Sequence, residues 1–246
     1  CIRDSNNVNV FGRGDTPMLF AHGFGCDQNM WRFITPAFES DYRIVLFDHV
    51  GHGKSDWKAY EKERYSSLDG YADDVLEICD SLDLQRCVLV GHSVSSMICL
   101  LAAIREPERF QALIMVSPSP RYLDDPPDYV GGFSREDIEG LLRSMDGKDT
   151  TWADYLAPQV MGKLDAPYLT EELKESFCST DPVVAREFAE VTFLSDNRED
   201  LPRLTIPSLV LQCSDDVIAP ATVGKYTAER MPGSSLRILD VASHCP

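Results

Sequence analysis

The sequence predicts an α/β fold: a mostly parallel sheet with helices on both faces and an inserted helical cap. Three observations carry this. Short apolar, β-rich runs alternate with helical stretches along most of the 246 residues. Runs such as Cys87 to Val90 are apolar throughout, as strands covered on both faces are. The rhythm breaks once, between about residues 119 and 197, where helix-like pieces follow one another with no strand between.

The elements read in order as follows. Met18 to Ala21 is a strand, and the Gly-rich loop His22-Gly23-Phe24-Gly25 follows it. Trp31 to Glu39 has a helical pattern, and Arg43 to Phe47 is the next strand. The loop Asp48-His49-Val50-Gly51-His52-Gly53-Lys54-Ser55 reads as a scaffold turn. His49 and His52 have no third ligand in sight, so no metal and no cofactor are expected. Leu68 to Leu82 is a helix, Cys87 to Val90 a strand, Ser95 to Arg105 a helix and Ala112 to Val116 a strand. Pro118, Pro120, Pro126 and Pro127 then mark an extended, irregular entry. Helix-like pieces lie at Arg135 to Met145, Thr151 to Val160, Thr170 to Phe177 and Pro182 to Phe193. Strand Ser208 to Gln212, helix Thr222 to Met231 and strand Ser235 to Leu239 resume the alternation. The division is therefore a core at residues 1–120, a helical cap at 121–197 and the rest of the core at 198–246. Such a block is expected over the C-terminal edge of the sheet, where open α/β sheets bind ligands.

Composition narrows the function. The net charge of −17 argues against nucleic acid and anionic membrane as partners. No run of 18 apolar residues exists and no secretory segment opens the chain, so a cytoplasmic protein is expected. The eight cysteines form no C-x-x-C pair and no zinc-ligand spacing. They read as small buried hydrophobes in a reducing compartment. Cys26 follows the Gly-rich loop, but no adjacent basic residue lowers its pKa. Cys1-Ile2-Arg3-Asp4-Ser5 lacks an initiator Met and resembles translated library adapter. The chain stops soon after a strand, at His244-Cys245-Pro246, as expected of a piece of a gene.

The chemistry gathers around Val88-Leu89-Val90-Gly91-His92-Ser93-Val94-Ser95. A strand stops at a Gly and a helix follows, with a serine at the sharp turn between them. That is the nucleophile elbow of an α/β-hydrolase, although the usual G-x-S-x-G has Ser95 at its last position. A serine hydroxyl needs a base, and the triad order is Ser, then acid, then His. Of five histidines only His244 follows Ser93, in a loop just beyond the last strand. The acid should follow strand Ser208 to Gln212, where Asp215 and Asp216 stand. Asp216 precedes Pro220 by four residues, the family spacing, and is preferred; Asp215 reads as a solvated turn residue. The oxyanion hole needs two N–H groups, assigned to Val94 and to Phe24 in the Gly-rich loop. The cap aromatics Tyr122, Phe133, Trp152, Phe188 and Phe193 are candidate pocket residues.

Several motifs together resemble one group of these hydrolases. They are Gly23-Phe24-Gly25-Cys26-Asp27-Gln28, Gly91-His92-Ser93-Val94, Pro118-Ser119-Pro120-Arg121-Tyr122-Leu123, Gly131-Gly132-Phe133, Phe177-Cys178-Ser179-Thr180-Asp181-Pro182 and Asp215-Asp216-Val217-Ile218-Ala219-Pro220. The chain is similar to the RsbQ-like hydrolases of bacterial stress signalling and to the plant strigolactone and karrikin receptor hydrolases. Ser95 matches the plant receptors, where the bacterial regulator has Gly. The resemblance implies an eight-stranded core, a four-helix cap over a closed apolar pocket, and Ser93, Asp216 and His244 as the triad. It implies a small hydrophobic ester or lactone as substrate and a PAS-domain phosphatase as partner. It also implies a last helix after the His loop, which this chain lacks. Other readings are a carbon–carbon bond or other metabolic hydrolase, or a ligand receptor with slow turnover.

Overall fold

The apolar runs become strands and the periodic stretches between them become helices in a computed structural model, which describes residues 1–146, 150–162 and 166–246. A short helix α1 (Ile2–Ser5) leads to β1 (Asn9–Phe11), β2 (Thr16–Ala21) and β3 (Tyr42–Leu46). Then come α2 (Leu68–Ser81), β4 (Cys87–His92), α3 (Val94–Arg105) and β5 (Phe110–Val116). Four helices follow: α4 (Arg135–Ser144), α5 (Thr151–Met161), α6 (Pro167–Ser179) and α7 (Pro182–Leu194). The chain closes with β6 (Ser208–Cys213), α8 (Ala221–Arg230) and β7 (Ser234–Leu239).

The strands form one sheet in the order β1-β3-β2-β4-β5-β6-β7. Only β1 runs antiparallel to its neighbour; every other pair is parallel. The sheet has seven strands among the described residues, against the eight that the resemblance implies. Before Asn9 the chain forms α1 and no further strand. Another expectation also needs correction. Trp31 to Glu39 is not an α-helix; the segment makes two 3-10 turns, Gln28–Phe33 and Thr35–Ala37. Pro36 has no N–H to donate, so an α-helix running through it would lose the bond to the Arg32 carbonyl.

Alternation along each strand sorts the two faces. Leu19, Val45, Leu89, Leu113 and Val210 point to the face covered by α2 and α3. Met18, Phe20, Ile44, Val88 and Val90 point to the other, where Trp31 packs. Helix α2 starts where the Ser67 Oγ caps the Asp69 N–H, and it buries Leu68, Tyr71, Val75 and Ile78 at helical spacing. Helix α3 is buried from Val94 to Ala103 on every side, so its sequence shows no polar face. Strand β4, between β2 and β5, is wholly buried.

Helices α4 to α7 all lie inside residues 121–197 and share one apolar cluster, including Leu142, Leu156, Leu173, Phe177 and Phe193. Two members of that cluster, Cys26 and Ile218, come from the loops after β2 and β6. The four helices are thus seated over the ends of those strands. Local signals start them: Ser134 and Asp137 form a capping box for α4, and Pro167 and Pro182 occupy first-turn positions in α6 and α7. Among the described residues no helix is long and apolar enough to cross a membrane.

The packing of β4 makes a direct prediction. Leu89 is fully buried at the centre of the sheet. Leu89→Ala should lower stability by about 2–5 kcal/mol in urea denaturation. Trp57→Ala, at a residue 60% exposed, should stay within about 0.5 kcal/mol. Similar losses in both variants would contradict this account of the core.

Candidate active site

The end of β4 is a tight crossing of strand and helix. A Cβ on Gly91 would stand 2.4 Å from the Ser95 carbonyl oxygen, so only glycine fits. The chain then turns at Ser93, with φ 55° and ψ −126°, a conformation that L-residues rarely hold. The Ser93 N–H donates to the Val116 carbonyl at 2.8 Å, which pins the turn to β5. Gly23 presses on the same point from the loop after β2. A Cβ there would meet His92 Nδ1 at 2.5 Å and Ser93 Cβ at 3.2 Å.

Ser93, His244 and Asp216 come together in a buried line, 5%, 3% and 5% exposed. His244 Nε2 lies 2.8 Å from Ser93 Oγ, and His244 Nδ1 lies 2.8 Å from Asp216 Oδ2. The other carboxylate oxygen of Asp216 accepts the Ile218 and Ala219 N–H groups at 2.9 and 3.0 Å. With its Nδ1–H directed at Asp216, His244 has Nε2 free to accept the Ser93 hydroxyl proton. Asp215, one residue earlier, is exposed; its N–H donates to the Val241 carbonyl at 3.3 Å.

His244 is held by its backbone as well. Its N–H donates to the Val160 carbonyl of α5 at 2.8 Å. Its own carbonyl accepts His92 Nε2–H at 3.0 Å. Burial first, and the neighbouring His244 second, push His92 down to about 3. The ring is therefore neutral, with its one proton on the nitrogen that serves His244. Of the two residues expected to supply oxyanion N–H groups, Val94 follows Ser93 in the chain and Phe24 follows Gly23, which abuts Ser93. Val94 is the first residue of α3, where N–H groups have no partner within the helix. Among the described residues neither N–H is given to another backbone group.

A cavity of about 20 Å³ lies above Ser93, large enough for one water. Phe24, Cys26, Tyr122, Leu156, Val160, Thr192, Phe193 and Ile218 line it together with His92, Ser93 and His244. The Tyr122 hydroxyl stands 3.0 Å from Ser93 Oγ. Burial pushes that phenol up, so it remains a donor. Of the five aromatics expected at the pocket, Tyr122 and Phe193 line it. Phe133, Trp152 and Phe188 do not. Trp152 stacks on Phe177 at 5.2 Å, Phe188 packs on Tyr71 and Phe24 at 4.7 and 5.9 Å, and Phe133 meets Phe193 at 6.1 Å. They form a second layer because aromatic rings bury one another before they reach a cavity this small. Sequence reasoning did not single out Leu156, Val160 or Thr192. The first two share a face of α5 at i and i+4, a signal that marks a buried stripe and not what the stripe faces.

Two side findings concern other expected groups. Burial, with Asp27 adding to it, pushes the Cys26 thiol up to about 12, so it stays protonated at neutral pH. His22 lies beside His49 and His52, with ring centroids at 4.6 and 5.7 Å. Among the described residues no group of three or more His, Cys, Asp or Glu has the arrangement to hold a metal ion.

Comparison with known proteins agrees with this fold. The model of the alpha/beta hydrolase fold family matches residues 16–246. A strigolactone esterase of Pisum sativum is 37% identical over 246 residues, which cover all of this chain and 92% of the relative. A karrikin insensitive 2 receptor of Petunia hybrida is 35% identical over 246 residues, covering 100% of this chain and 91% of the relative. A solved hydrolase from Oleispira antarctica superposes with a TM-score of 0.97 at 46% identity, over 99% of this chain and 89% of that one.

The histidines around the site predict acid sensitivity. His22, His49, His52 and His92 are all buried, and desolvation lowers each below its ordinary 6.5. Above 6.5 neither the folded nor the unfolded chain protonates them. Below it the unfolded chain takes up protons that the folded chain refuses. Stability is therefore lost as pH falls from 6.5 toward about 3, the value for His52 and His92. Each imidazole contributes a slope of up to about 1.4 kcal/mol per pH unit. Urea midpoints measured from about pH 8 to about pH 5 should fall on the acid side, and less so in His52→Phe. A flat profile would contradict it.

Proposed function

The chain belongs to the α/β-hydrolase family, and from that premise we propose that it is a serine hydrolase of a small hydrophobic ester or lactone. The supporting observation is the buried line Ser93, His244, Asp216 with both contacts at 2.8 Å. In this reading Ser93 Oγ attacks the carbonyl carbon of the substrate while His244 Nε2 takes the hydroxyl proton. Asp216 holds His244 in the required tautomer and stabilises the imidazolium. The negative charge that develops on the carbonyl oxygen is met by the N–H groups of Phe24 and Val94. His244 returns the proton to the leaving oxygen, and a water then releases the acyl group from Ser93 by the same route. Tyr122, whose hydroxyl stands 3.0 Å from Ser93 Oγ, gives way to the incoming carbonyl.

The lining supports the substrate class. Apart from the reacting groups, His92, Tyr122 and Thr192, the cavity walls are apolar, and among the described residues they carry no Arg or Lys for an anionic substrate. One observation favours slow turnover in a ligand-receiving protein as the second reading: the cavity is small and the Tyr122 hydroxyl stands against Ser93 Oγ. Action in the cytoplasm and partnership with a PAS-domain phosphatase rest on the sequence reading and the RsbQ resemblance.

Turnover of short p-nitrophenyl esters tests the proposal. Ser93→Ala should lower kcat by about 10³-fold or more, leaving only oxyanion-site catalysis. Asp216→Asn should cost on the order of 10³–10⁴ in kcat through the wrong tautomer, and Asp215→Asn far less. Unchanged turnover in Ser93→Ala would remove the assignment. A larger loss at Asp215 than at Asp216 would move the acid by one residue.

A further inference from the structure

Ser95 departs from the small glycine expected after the elbow, and the triad makes no use of it. Its side chain is fully buried. The hydroxyl donates to the His22 carbonyl at 2.5 Å, just before Gly23 and Phe24. The same oxygen accepts His49 Nε2–H at 2.8 Å. The His49 backbone N–H in turn donates to His22 Nε2 at 3.0 Å, and His22 Nδ1–H reaches the Gly23 carbonyl at 2.9 Å. His49 is kept neutral by burial and by the imidazoles beside it, so it has one ring proton, and that proton goes to Ser95.

These bonds form a closed set across three separate segments: the loop after β2, the loop after β3 and the first turn of α3. The first segment carries the Phe24 N–H and the third carries the Val94 N–H. Two donors on different segments can serve one oxygen only if the segments keep their relative position. Ser95 is the residue of the third segment that bonds to the other two.

We propose that Ser95 is a positioning residue: its hydroxyl holds the Phe24 loop against the Val94 turn so that both N–H groups aim at one oxyanion. This rests on the serine-hydrolase reading of the site. Without the hydroxyl, the His22 carbonyl loses a donor and His49 Nε2–H loses its acceptor, both in a dry interior. The loop is then free to shift, and a displacement of about one ångström is felt in the transition state far more than in the bound substrate.

The test uses the full chain, a p-nitrophenyl ester and phenylboronic acid, whose tetrahedral adduct on Ser93 places an oxygen at the oxyanion position. Ser95→Ala should lower kcat by about 10–100-fold, with KM changed by less than about threefold. Its affinity for phenylboronic acid should weaken by a similar factor, and Ser95→Thr, which keeps the hydroxyl, should retain most of the rate. If Ser95→Ala does not fold, His49→Phe removes the donor that orients the hydroxyl and should show the same split. Ser93-dependent turnover that is unchanged in these variants overturns the proposal and leaves the hydrolase reading intact. A loss confined to KM, or one that follows melting temperature with boronate affinity unchanged, also overturns it. If the unsubstituted chain shows no Ser93-dependent turnover and binds no boronate, the hydrolase reading fails and the proposal falls with it.

Discussion

Ser93 stands in a backbone conformation that L-residues avoid, and much of the site is arranged to hold it there. Such a residue persists only where its surroundings over-determine it. Here β4 is buried along its whole length, the Ser93 N–H is fixed to β5, and two neighbouring positions lack a side chain. The result is an oxygen lifted off the sheet edge, with the start of α3 beneath it. The rest of the site is geometry built outward from that oxygen. His244 approaches from the β7 side, Asp216 from the loop after β6, and Phe24 from the loop after β2.

The base is tied to the cap as well as to the core. His244 takes its orientation from Asp216 and His92, but its backbone N–H is bonded to Val160 in α5. Ser243 Oγ reaches the same carbonyl at 3.3 Å. Motion of α5 is therefore not independent of the imidazole. On the proposed reading, the helices that cover the substrate also complete the machinery that attacks it, so closure and competence are one event.

The sequence was most informative where covalent spacing or local sterics decide the outcome. The strands from β2 to β7 follow from apolar runs, and the elbow from Gly91 and Ser93 at a strand-to-helix junction. His244 followed by elimination, and the structure brings Asp216 and not Asp215 to it. Other features depend on partners that no local pattern names. Strand β1 is three residues at an exposed edge and exists only through its pairing with β3. The turn around Trp31 reads as helix until Pro36 is given its full weight. The cavity lining was the least legible: Phe133, Trp152 and Phe188 have the same chemistry as Phe193, and only cap packing decides which ring reaches Ser93. Nothing in the sequence announces the contact of Tyr122 with Ser93, or the reach of Ser95 to His22 and His49.

A chamber with room for a single water has a kinetic signature. On the proposed reading a substrate larger than water needs the walls to part, so entry includes an opening step before capture. Observed association should level off as ligand concentration rises, at the rate set by the protein and not by diffusion. On that reading the product leaves through the same opening. Residence time in such a molecule is a property of α5, α7 and Tyr122 as much as of the ligand.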